Sequence, residues 1–275
     1  MTDIRDLPSP DVAEAIGRTP VAVLPFGSVE QHGAHLPVGT DTMIAELIGK
    51  AVADRLDALF VPFGPYGVTP IHAGRPGTVT LTPDTFERLL GEICAELVRM
   101  GVRTLVFVNW HELNSPSIDR VATFVQADTE ATVVVAHACY TAQRLYADEG
   151  GELTHGGGIE TLGVLAEDPE LVRWERAQAA SKPPRAAELD AMRRGHEVYG
   201  FVTDVGEFGG DGWYGDPGWA TQERADGFVA RVADDVVRQV NEVLALRRSE
   251  LDVTDAGAVR AAIRRARPEI GRAHV

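Results

Sequence analysis

Cysteine is nearly missing from this chain: Cys94 and Cys139 are the only two among 275 residues. They are too few for a disulfide framework and too far apart in sequence for a thiolate metal knuckle, so a metal here must be held by oxygen and imidazole. Long apolar runs are missing as well. The strongest, around Leu105 to Val108 and Val133 to Ala136, fall far short of the ~20 residues that a membrane helix needs, so no membrane partner is expected. Positive charge is in deficit, 26 Lys and Arg against 41 Asp and Glu for a net charge of −15. That sign disfavours nucleic acid and anionic lipid surfaces. The start of the chain carries Asp3, Asp6 and Pro8 rather than a basic patch and an apolar run. It does not read as a secretory signal, and a cytoplasmic protein is expected. What is present, 44% hydrophobic and 24% charged side chains, suits one ordinary globular domain or a tight pair.

Apolar β-rich runs alternate with amphipathic helical patterns, the signature of an α/β domain with a largely parallel sheet. Val21 to Phe26 reads as a buried strand ended by Gly27 and Ser28, feeding a loop that reaches Thr40. Ile44, Leu47, Ile48, Ala51, Val52 and Leu56 then mark one buried helical face, with Asp41 at the helix entrance. Thr82 and Pro83 start a further helix with the stripe Phe86, Leu89, Leu90, Ile93, Leu97 and Val98, closed by Gly101. Val102 to Val108 and Ala131 to Ala136 read as buried strands on either side of a helix from Ser117 to Ala127.

From about Ala177 to Met192 the chain is polar and Ala-rich and reads as an exposed connection. Gly206 to Trp219 is a glycine-rich loop carrying Trp213, Tyr214 and Trp219, either a surface or subunit contact or the wall of a site. A helix from about Gln222 to Arg248 closes the domain. Residues 1–248 are thus expected to form a single domain, with 249–275 a C-terminal extension or peripheral helix.

Three polar clusters sit where α/β domains place their sites, after strands and before helices. Glu30, Gln31, His32 and His35 follow the first strand; Glu30 and His32 point the same way in an extended segment, and the turn region at Gly33 and Pro37 can return Asp41 to them. Carboxylate with imidazole suits Zn, Mn or Fe. Asn109, Trp110, His111, Glu112, Leu113 and Asn114 follow the Val102 to Val108 strand, with His111 placed as a further ligand and the two asparagines placed to hold backbone turns. His155, Gly156, Gly157, Gly158, Ile159 and Glu160 form the third, where the glycines admit a close backbone approach and about one helical turn separates His155 from Glu160. Each alone has a plain alternative: solvated loop residues, a helix cap, a glycine hinge. Among the other histidines, His137 reads as strand or core and His274 as tail, while His35, His72 and His196 are candidates for a pocket or for orienting ligands.

Taken together and in this order, the clusters resemble the creatininase (creatinine amidohydrolase) family. The stretch from Leu24 to Pro37, continued by Thr40, Asp41 and Thr42, is similar to the family's principal motif almost position by position. Asn109-Trp110-His111 is similar to its Asn-Gly-His motif, and His155 to Thr161 to its His-Ala-Gly…Glu-Thr motif. Gly215-Asp216-Pro217 with Ala220-Thr221 is similar to a late segment of some members. The likeness spans roughly Val21 to Leu246, and the mycofactocin precursor peptidase and formylaminopyrimidine deformylase branches share it.

The resemblance implies a three-layer α/β/α sandwich, a centre of two divalent metal ions (Zn, Mn or Fe), hydrolysis of a non-ordinary amide C–N bond of a small molecule, and a homo-oligomer, often a hexamer. It places Glu30, His32, Asp41, His111 and Glu160 at metal-ligand positions, with Asp41 bridging, and His155 where a proton is moved. Trp110 stands where the family has glycine, and Leu113 where creatininase has a glutamate near its metal-bound water; Glu112, one place earlier, is the catalytic candidate to take over. Trp110, Trp213 and Tyr214 are expected to line the substrate pocket. A non-catalytic metal-binding or assembly protein on the same fold, and a peptidase of a modified precursor peptide, are the alternatives. A nucleotide-binding domain is disfavoured, since no G-x-G-x-x-G or Gly-Lys-Ser/Thr follows the first strand.

Overall fold

A computed structural model describes residues 2–180, 184–195 and 197–250. Five strands form one parallel sheet in the order β1-β3-β2-β4-β5: β1 (Thr2–Asp3), β2 (Val21–Phe26), β3 (Leu59–Phe60), β4 (Thr104–Asn109) and β5 (Thr132–His137). The expected largely parallel sheet is therefore wholly parallel among the described strands. The register pairs Phe26 with Asn109 and Asn109 with His137, so β2, β4 and β5 end level. The three segments that leave those ends start side by side, and the first two carry the candidate ligands.

Alternation along each strand builds the two faces. Val23, Val106, Val108 and Val134 look to one side, where they pack with α2 (Thr40–Arg55), α5 (Ala138–Tyr146), α6 (Gly158–Glu167) and α8 (Gln222–Glu250). Ala22, Leu24, Phe26, Leu105 and Phe107 look to the other, against α1 (Ser9–Arg18), α3 (Pro83–Met100) and α4 (Ser115–Asp128). The result is the three-layer α/β/α sandwich. A strand buried on both faces reads as a continuous apolar run, as β2 and β4 do; the edge strand β5, fully buried only at Val134, carries a similar run of valines. The short strands β1 and β3 and the helices α1 and α5 carry no such run.

At α3 the local chemistry is as expected: the Thr82 hydroxyl accepts from the Thr85 N–H, Pro83 occupies the first turn, and Gly101 ends the helix at φ 113°. The stripe needs one correction. Leu89 is exposed, and Cys94 takes the place in the buried row with Phe86, Leu90 and Leu97. The connection from about Ala177 to Met192 carries most of a helix, α7 (Pro184–Gly195). Its arginines dock on Glu112, an ion pair across the fold that local composition does not reveal. His196 and residues 251–275, which include His274 and nearly all of the expected C-terminal extension, lie outside the described residues. No described helix is long and apolar enough to cross a membrane.

Candidate metal centre

The loop after β2 delivers Glu30 and His32, and Gly33, at φ 73°, turns the chain back towards α2. Asp41 lies in the first turn of α2. Its carboxylate reaches two histidines at once: Oδ1 lies 3.3 Å from His32 Nε2, and Oδ2 lies 3.0 Å from His111 Nδ1. His111 arrives just past β4, where the Asn109 side chain donates to its carbonyl oxygen at 2.8 Å. Asn114 bridges the Gly27 carbonyl and the Val68 N–H, so both asparagines hold backbone turns as expected. Glu160, in the first turn of α6, accepts from the Gly156 N–H at 2.6 Å and lies 3.6 Å from His32 Nε2. Glu30 completes the group, with Oε2 3.5 Å from His111 Nε2. All five expected ligands are buried and converge.

Hydrogen bonding fixes which ring atoms face the carboxylates. His111 Nε2 donates to the Val68 carbonyl at 3.1 Å, and His32 Nδ1 donates to the Glu30 carbonyl at 3.0 Å. In the neutral ring the other nitrogen then carries a lone pair directed at a carboxylate oxygen. Acceptor facing acceptor in a buried site is stable only with a cation or a proton between them. Among the described residues, Glu30 Oε2 and His32 Nε2 have no hydrogen-bond partner. Two overlapping sets, Glu30–Asp41–His111 and His32–Asp41–Glu160, bring one ligand atom per residue within 4.8 Å of each other and share Asp41; Glu30, His32 and His155 form a third. Oxygen and imidazole donors of this kind fit a pair of divalent ions.

The electrostatics say the same. Burial works against a charged His32, but Asp41 and Glu160 outweigh it and raise its pKa to about 10. Burial likewise opposes charge on His111, and Glu30 and Asp41 raise it to about 9. Asp41 is held well below the usual carboxylate range, its burial outweighed by the two histidines. Burial pushes Glu160 up to about 8. Without a metal, protons fill the positions that cations would take.

His155 stands beside this centre rather than apart from it. Its Nε2 donates to the Gln31 carbonyl at 2.6 Å, and its Nδ1 lies 3.6 Å from Glu30 Oε1. Burial and the nearby His32 and His72 hold its pKa well below the ordinary value. His72, expected in a pocket or as an orienting residue, is part of the site: it is buried, lies 3.6 Å from Glu30 Oε1 and packs against His155 with ring centroids 4.3 Å apart and ring planes inclined at 51°. It comes from a short helical turn, Pro70–His72, between β3 and α3, and only the tertiary fold brings it in. His35 acts from behind, donating to the Gly156 carbonyl at 2.8 Å.

The ligands face a cavity of about 110 Å³ walled by Trp110, Leu113, Leu153, Phe208 and Tyr214. Of the three aromatics expected to line a pocket, Trp110 and Tyr214 are in this wall. Trp213 does not line that cavity; it packs on His35 with ring centroids 4.7 Å apart and supports the Gly156 turn. Glu112 is in the cavity wall, but its carboxylate is engaged by Arg193 at 2.7 Å and Arg194 at 3.5 Å.

A fold and centre of this kind have relatives. A family model described as creatinine amidohydrolase matches residues 5–240. The mycofactocin precursor peptide peptidase of Mycobacterium tuberculosis is 32% identical over 247 residues, covering 86% of this chain and 91% of the relative. The creatinine amidohydrolase of Pseudomonas putida is 32% identical over 175 residues, 57% of this chain and 67% of that one. A solved structure described as "Creatininase Mn" superposes with a TM-score of 0.72 at 25% identity, over 88% of this chain and 98% of its own. The chain belongs to the creatininase family.

Proposed function

We propose that this creatininase-family hydrolase is a metal-dependent amidohydrolase that cleaves a non-ordinary amide C–N bond, cyclic, formyl or otherwise small-molecule, in the cytoplasm. The observation that carries the reading is Asp41, whose two oxygens each face a buried histidine nitrogen, at 3.3 and 3.0 Å. Glu30, Asp41 and His111 would hold one divalent ion (Zn, Mn or Fe) and His32, Asp41 and Glu160 the other. When bound, such a pair acidifies water and polarises an amide carbonyl.

The chain's own residues supply the rest. The Val68 and Glu30 carbonyls fix the ring orientation of His111 and His32. Trp110 and Leu113 narrow the cavity and keep bulk water from the reacting bond. His155 presents Nδ1 beside Glu30 and carries a proton towards the leaving nitrogen. A homo-oligomer, hexameric as the family resemblance implies, is part of the same reading.

Cleavage of a modified precursor peptide is the second reading, favoured by the fuller coverage of the mycobacterial peptidase than of the amidohydrolase. Assaying cyclic amides, formamides and short peptides with Mn, Zn and Fe supplied separately decides between them. Small amides are expected to turn over only with metal, and the His155→Ala protein to lose at least about 10²-fold in rate with its metal content intact. Turnover of peptides alone would transfer the assignment to the second reading. Two bound metals with no hydrolysis of any amide would leave a binding protein.

A further inference from the structure

We propose that His72 is a hydrogen-bond donor to the substrate in this hydrolysis, locked by Gln31 into the tautomer whose Nε2–H faces the carboxylates, and that it holds the carbonyl oxygen as that oxygen gains negative charge. The inference rests on the amide-hydrolase reading for its reaction, but its geometry is independent of it.

The Gln31 side chain is fixed at both ends. The Gly33 N–H donates to Oε1 at 3.0 Å, and Nε2 donates to the Gly212 carbonyl at 2.5 Å, so the amide oxygen and nitrogen cannot be exchanged. One hydrogen remains on Nε2, with two imidazole nitrogens in reach: His155 Nε2 at 3.2 Å and His72 Nδ1 at 3.4 Å. His155 Nε2 lies 2.6 Å from the Gln31 backbone carbonyl, which only accepts. That nitrogen therefore carries its own hydrogen and cannot take another. The acceptor is His72 Nδ1, which makes His72 a neutral ring with its hydrogen on Nε2.

This N–H points into the site, 3.6 Å from Glu30 Oε1, too far to be satisfied by that oxygen. Beside it, His155 turns Nδ1 towards the same oxygen, also at 3.6 Å. The two neighbouring rings thus present different atoms to one point, a donor from His72 and Nδ1 from His155. A donor aimed where charge develops stabilises the tetrahedral state, and losing one costs about 10²–10³-fold in kcat. Presenting N–H rather than a lone pair also keeps His72 from being a metal ligand.

The test needs no turnover. Imidazole ¹⁵N NMR of the full chain, metal-free and zinc-loaded, should show the Nε2–H tautomer at His72, and Gln31→Glu, which replaces the amide donor with an acceptor, should move that hydrogen to Nδ1. Calorimetric titration of the zinc-loaded protein with methylphosphonate, a tetrahedral oxyanion, should lose about 10–100-fold in affinity on His72→Ala, with zinc content unchanged and most of the loss recovered by His72→Gln. An Nδ1–H tautomer in the unsubstituted protein overturns the proposal. So does loss of zinc from His72→Ala, or methylphosphonate binding that is absent or indifferent to His72. Binding through His72 without hydrolysis of any amide would instead remove the reaction and leave the donor standing.

Discussion

Asp41 is the residue on which the proposed pair of metal positions depends, because each of its oxygens faces a different histidine. An amide at that place offers one acceptor and one donor, so it can complete only one set. Asp41→Asn is therefore expected to bind one equivalent of metal or fewer by elemental analysis, and to lose more activity than the ~10–100-fold typical of an outer partner. Ser28, whose hydroxyl donates to Asp41 Oδ2 at 2.7 Å, is such a partner; Ser28→Ala should weaken metal affinity about 10-fold and leave the fold intact. The titration of the metal-free centre has a definite sign. His32 and His111 are raised to about 10 and about 9, and Glu160 to about 8. A group raised above its unfolded value contributes stability that is complete below the unfolded pKa and lost as pH rises through the folded one. Metal-free protein is expected to lose thermal stability progressively as pH rises from about 6.5, where a free histidine titrates, to about 10. Cations replace those protons, so the metal-loaded protein should show no comparable fall in a melting-temperature profile over the same range.

Among the elements, α2 and α7 decide how the site is built and covered. A Cβ on Gly27 would lie 2.3–2.5 Å from the backbone of Asp41 and Thr42, which have no side-chain freedom with which to yield. Gly27→Ala should push the start of α2, and Asp41 with it, out of place, costing about 3 kcal/mol or more in denaturant unfolding together with the metal site. Glu112 joins the wall after β4 to α7 through Arg193 and Arg194. If that contact serves to hold α7, Glu112→Gln should speed hydrogen exchange in α7 and raise KM several-fold with kcat nearly unchanged. A fall in kcat with α7 exchange unaltered would return Glu112 to the catalytic role, taking over from the glutamate that Leu113 replaces. These elements also mark how far the sequence could be read. The strands β2, β4 and β5, the Thr82 cap and the Gly101 stop are local patterns, and Glu30 with His32 or His155 with Glu160 are close neighbours along the chain, so all were legible. α7 was not, because it belongs to the site through a contact with the distant Glu112 that no local period encodes; His72 was legible only as a candidate for a pocket or for orienting ligands, since its contact with His155 is equally distant. Leu89 fits the α3 stripe yet faces solvent, since a stripe gives the width of a face only approximately.

At the scale of the whole molecule, the centre ties together parts that otherwise meet only through packing. Its ligands come from the segments after β2 and β4 and from the first turns of α2 and α6, and α2, α6 and α8 share one apolar layer over the sheet. Without cations this junction gathers Glu30, Asp41 and Glu160 in one buried place, in a chain already carrying a net charge of −15. Bound divalent ions would take the place of the protons that otherwise hold these carboxylates together, and would bind only the folded chain. At a free metal concentration 100 times the dissociation constant they contribute about 2.7 kcal/mol per site. For a domain of this size, each kcal/mol corresponds to roughly 2–4 °C in Tm. Chelation followed by manganese or zinc repletion should therefore move the melting temperature by at least about 5–10 °C, as a single shift of the main transition, because the ligands span the sheet and both helices. The same repletion should move Asp41→Asn by less than half as much. A metal-induced shift of equal size in Asp41→Asn would place the cations elsewhere on the acidic surface and break the link between this centre and the fold.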